Sequence, residues 1–129
     1  MAARKTEAKA PPTVQVFGTR KSRDTGKALR FFKERGVALH FVDLQEREIA
    51  PAELRRFAEA FGLDALLDRG SKAYRDGGLE YLRLGEAQLA ERLMDEPALL
   101  VQPLLRAGAD LGLGWDEARW RAWYALAKA

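Results

Sequence analysis

The chain has 129 residues, 47% of them hydrophobic and 32% charged, with 22 basic against 19 acidic side chains and no cysteine. That length suits one compact domain, and no apolar run approaches the roughly 20 residues of a membrane helix, so a soluble protein is expected. The missing cysteine excludes disulfides and thiol redox chemistry by this chain alone, and a formal charge of +3 does not by itself mark a nucleic-acid binder.

Residues 1–12 (MAARKTEAKAPP) mix charge with alanine, end in Pro-Pro and lack the apolar stretch of a secretory signal. They read as a flexible tail ahead of one domain over 13–129. With neither signal nor cysteine, the cytoplasm is the expected compartment. Thr13–Phe17 (TVQVF) alternates apolar and polar side chains and is closed by Gly18, the pattern of a short strand and turn. Ser22, Asp24 and Thr25 precede a segment with Ala28, Leu29, Phe31 and Phe32 on one side and Gly36 beyond it, a capped helix with a glycine stop. Val37–Asp43 (VALHFVD) is rich in β-branched and aromatic residues, so the chain opens as a right-handed β-α-β unit with parallel strands.

Pro51 starts a second helix with Leu54, Phe57, Ala58 and Phe61 on one face and Gly62 as its stop. Leu66–Gly78, with glycines at 70, 77 and 78, reads mostly as loop. Leu84–Met94 has helical periodicity and stops before Pro97. Leu99–Leu105 and Asp110–Gly114 are apolar runs separated by Arg106-Ala107-Gly108-Ala109, which predicts a β-hairpin. From Trp115 onward the chain is rich in Ala and Trp without Gly or Pro, a closing helix. The order β-α-β, helical insertion, β-hairpin, C-terminal helix is that of a thioredoxin-like α/β fold.

The chemistry concentrates at the start of the first helix. A turn entering a helix presents free backbone N–H groups and the positive end of the helix dipole, and Ser22 and Thr25 add hydroxyls. Arg20, Lys21, Arg23 and Lys27 against Asp24 give the segment a net charge of +3 (four minus one), which favours an oxyanion or an acidic partner. The alternative is that Ser22 is an N-cap among solvated cations. A nucleotide phosphate loop is excluded, because Gly18 lies too far from Gly26-Lys27 and Ala28 replaces the required hydroxyl residue. His40 and Asp43 lie three apart on a strand and point to opposite faces, which spoils a triad with Ser22. No His/carboxylate cluster has metal-ligand spacing. Trp115, Trp120, Trp123 and Tyr124 contain a helical face suited to core packing, and a surplus aromatic among them suits a partner surface.

The segment Phe17-Gly18-Thr19-Arg20-Lys21-Ser22-Arg23-Asp24-Thr25-Gly26-Lys27-Ala28 resembles, without gaps, the first loop and helix of the arsenate reductase (ArsC)/Spx family. Ser22 and Thr25 stand where that family carries cysteines. Asp43, Glu53-Leu54, Leu66-Leu67-Asp68-Arg69-Gly70-Ser71, Glu96-Pro97 to Pro103-Leu104 and Gly114-Trp115-Asp116-Glu117 are similar to its further motifs in order, so the resemblance spans residues 13 to 124. Two central parts differ: the nucleophilic cysteine is Ser22, and the arginine before the proline is Gln102.

The resemblance implies a cis bond before Pro103, with Gln102 lining the site, and an oxyanion or glutathione ligand rather than a resident cofactor or metal. Ser22, Arg23, Thr25, Lys27 and Arg69 are the candidate anion-binding residues. Arg69 is equally read as an exposed loop arginine. With no catalytic residue assigned, three roles follow from the resemblance: a silent member acting by anion, peptide or protein binding; an Spx-like regulator contacting RNA polymerase; and an oxidoreductase or transferase that borrows an external thiol such as glutathione. Neither direct nucleic-acid binding nor membrane association is expected.

Overall fold

The computed structural model describes residues 13–128, and the expected tail over 1–12 lies outside them. Four strands form one sheet: β1 (Val14–Gly18), β2 (Leu39–Asp43), β3 (Leu104–Ala107) and β4 (Asp110–Leu113), in the order β2-β1-β3-β4. β1 runs parallel to β2, with Val16 opposite Phe41, and antiparallel to β3, which pairs antiparallel with β4. The helices are α1 (Arg23–Glu34), α2 (Pro51–Phe61), the short α3 (Lys72–Asp76), α4 (Glu86–Asp95) and α5 (Glu117–Lys128). Three 3-10 turns, Leu63–Leu66, Leu79–Tyr81 and Pro97–Leu99, bend the connections between them. This is the thioredoxin-like arrangement expected.

Side chains alternate across the strands and feed two cores, one on each face of the sheet. Val14 and Val16 of β1 join Leu105 and Ala107 of β3 against Ala28, Phe31 and Phe32 of α1 and Trp120 and Trp123 of α5. Phe17, Val42 and Leu104 point the other way, against Leu54 and Phe57 of α2 and Leu89 and Leu93 of α4. Trp120 and Trp123 are almost completely buried. β4 makes room for them: a Cβ on Gly112 would sit 3.1 Å from the ring of Trp123. The Trp123 indole N–H donates to Asp110 at 2.7 Å, and Arg119 bonds both Asp110 and the carbonyl of Leu111, so α5 is latched to β4 by polar contacts as well as packing.

Two sequence expectations are corrected. Leu66–Gly78 is not mostly loop: Leu67 bridges Leu100, and Ser71 caps α3 by accepting the N–H of Tyr74. The hairpin is also shorter than expected. Leu99 ends a 3-10 turn, Arg106 and Ala107 belong to β3, and only Gly108 and Ala109 form the connection, with Gly108 at φ +62°. A two-residue connection of this kind needs positive φ, which glycine supplies without a Cβ penalty. Among the described residues no helix is long and apolar enough to cross a membrane.

Candidate functional site

The loop after β1 ends where Ser22 caps α1. Its backbone is extended, and its Oγ accepts the Thr25 N–H at 3.1 Å, satisfying one of the orphan donors of the helix start. Thr25 is fully buried beneath this turn, and Gly18 leaves it space: a Cβ there would lie 2.5 Å from Thr25 Oγ1. The opposing wall comes from the segment before β3. The Asp68 N–H donates to Leu99 O, and the Val101 N–H to Leu66 O, each at 2.8 Å, which brings Asp68 and Gln102 up beside the helix start. The Gln102–Pro103 peptide bond is cis.

Gln102 joins the two walls. Its Oε1 accepts the Thr19 N–H at 2.8 Å and lies 3.2 Å from Thr19 Oγ1 and 3.5 Å from Thr25 Oγ1, within reach of both hydroxyls. Its Nε2 donates to Pro97 O at 2.7 Å. The partners fix the orientation of the amide, because a backbone N–H only donates and a carbonyl only accepts.

In front of this junction lies a cavity of about 490 Å³. Thr19, Lys21, Ser22, Arg23 and Asp24 line one side, and Asp68, Ala98, Leu100 and Gln102 the other. A neighbouring cavity of about 580 Å³ shares Thr19, Lys21 and Ala98 and continues past Gln45–Glu48 to Asp95–Pro97. The backbone N–H groups of Arg23 and Asp24 have no acceptor among the described residues, and Asp24 places a carboxylate in the same first turn.

The candidate residues are thus only partly brought together. Ser22, Arg23 and Gln102 line the cleft, whereas Thr25 is buried behind it. Lys27 does not line it: its ammonium lies 4.9 Å from the ring centre of Trp115, itself 48% exposed. Arg69 is also outside, exposed and 3.9 Å from Asp64. Arg20, counted in the loop's charge, sits over the ring of Phe41 and 3.8 Å from Asp43. Two cations and two carboxylates therefore face the cleft. Sequence reasoning overlooked Asp68, which the Leu67–Leu100 bridge delivers, and Ala98 and Leu100 of the opposite wall. His40 is exposed on β2, 3.3 Å from the Gln15 amide, while Asp43 accepts the Gln45 N–H, so no triad with Ser22 assembles. Among the described residues no His/Cys/Asp/Glu group is placed to hold a metal ion.

No curated protein matches the chain in sequence. Solved structures resemble it closely in fold. The YFFB protein superposes with a TM-score of 0.76 at 24% identity, covering 85% of this chain and 97% of its own. An arsenate reductase from Vibrio cholerae gives 0.69 at 18%, covering 80% and 90%. An arsenate reductase (ArsC) related protein from Brucella melitensis gives 0.63 at 20%, covering 87% and 94%. The family model of ArsC matches residues 2–123, nearly the whole sequence, and the chain belongs to the ArsC family.

Proposed function

We propose that this ArsC-family chain turns over neither arsenate nor disulfides and works by binding at the cleft beside Ser22. The observation that carries the reading is the chemistry of the helix start. Thiol exchange needs a thiolate that attacks, forms a mixed disulfide and leaves again. Ser22 Oγ instead accepts the Thr25 N–H at 3.1 Å, and no cysteine stands anywhere in the chain. The shape and charge of the cleft support the ligand class. Two adjoining cavities, with Lys21, Arg23 and Arg47 set among the carboxylates of Asp24, Glu46, Glu48, Asp68, Asp95 and Glu96, suit an extended polar chain that carries both charges. A peptide segment of a partner protein has that character, and glutathione is its smallest convenient probe.

The rival reading is an enzyme that borrows the thiol of glutathione held beside Pro103. Incubation of the purified protein with arsenate, glutathione and a glutaredoxin separates the two. The expected result is no arsenite above the protein-free control, whereas turnover by the unmodified chain overturns the proposal. Ser22→Cys should gain rapid alkylation by iodoacetamide at neutral pH, because a helix N-terminus with adjacent cations stabilises a thiolate.

A further inference from the structure

We infer that the side-chain amide of Gln102 is a built-in substitute for an anion, and that it selects against free tetrahedral oxyanions at this cleft. The inference rests on the reading of the cleft as the binding site and specifies what that site refuses. Three donors converge on one point at the inner wall of the cleft: the Thr19 N–H and the hydroxyls of Thr19 and Thr25. All three face one atom, Gln102 Oε1. Both threonines are buried, at 6% and 0% exposure, so water does not compete for them easily. The amide is anchored at its far end as well, where Nε2 donates to Pro97 O at 2.7 Å.

An oxyanion entering this position has to break the Thr19–Gln102 bond, and the displaced amide oxygen then faces it as a partial negative charge. The donors left outside, the N–H groups of Arg23 and Asp24, share the rim with the Lys21 and Arg23 side chains and with two carboxylates, Asp24 and Asp68, which offset those cations. A compact dianion gains little there. An extended ligand of mixed charge lies across the plug without displacing it. Gln102 is therefore a specificity-determining residue that converts an anion-accepting turn into a closed one.

The experiment is a titration of the full chain with sulfate, phosphate and arsenate, followed through the amide signal of Thr19. The unmodified protein should show no saturable shift at Thr19, and the through-bond correlation from the Thr19 nitrogen to the Gln102 side-chain carbonyl should persist at the highest salt. Gln102→Ala should show a saturable shift, with a sulfate Kd at least about tenfold below the lower limit that the unmodified chain sets, as expected for one charge-assisted hydrogen bond regained. Gln102→Asn, whose shorter amide does not span from Thr19 to Pro97, should behave alike and serves if the alanine variant does not fold. Saturable oxyanion binding at Thr19 in the unmodified protein overturns the inference, as does a folded variant that still refuses sulfate. A parallel glutathione titration of the unmodified protein reports separately on whether the cleft binds a mixed-charge ligand, so the two readings fail independently.

Discussion

Gly18, Ser22, Thr25 and Gln102 form one mechanical unit, and each is there for a reason of space or hydrogen bonding. Gly18→Ala would drive a methyl group to 2.5 Å from Thr25 Oγ1 and 3.2 Å from Gln102 Oε1. A loss of about 1–3 kcal/mol in denaturant unfolding is predicted, the usual cost of overpacking. Ser22→Ala removes only the cap, and a smaller loss of about 1 kcal/mol is predicted in the same measurement. The sequence made the cap legible, because a serine ahead of an apolar helical face has one obvious task. It did not make the Gln102 plug legible. A glutamine in place of arginine reads as a missing cation, and no local rule says that its amide spans the 83 residues of chain separating it from Thr19. The loop's charge misled for a related reason: Arg20 and Lys27 lie over the rings of Phe41 and Trp115, contacts that only the folded chain supplies.

At the scale of elements, α1, α2 and α4 follow from periodicity, caps and stops, α5 from an Ala- and Trp-rich run without Gly or Pro, and the parallel β1–β2 pair from the helix between its strands. The failures lie where apolar runs are short. Leu99–Leu105 has the composition of a strand, yet Pro97 opens a 3-10 turn through Leu99 and β3 begins only at Leu104. α3 has five residues, too few for a periodic signal, and its start is marked only by Ser71. These two segments, joined by the Leu67–Leu100 bridge, build the far wall of the cleft, so Asp68, Ala98 and Leu100 were hidden there while Gln102 was named from the resemblance. α5 packs on the sheet's other face, in the core it shares with α1. Trp123→Ala should destabilise the domain by about 3–5 kcal/mol in thermal or denaturant unfolding, since it empties a 1%-exposed position against Gly112 and Phe32.

At the scale of the whole molecule, two cores on opposite faces hold the sheet, and the cleft opens where β1 hands over to α1, beside the turn that leads into β3. The scaffold of the ArsC family is present, with Ser22 capping α1 and the Gln102 amide bonded across to Thr19. The proposal that this end of the molecule binds without turning over is tested by an amide chemical-shift titration with reduced glutathione. Saturable shifts confined to Lys21–Asp24, Asp68 and Ala98–Gln102, with the peptide recovered chemically unchanged, are the predicted result. Spectra unchanged at millimolar glutathione, or shifts centred away from this cleft, would contradict it.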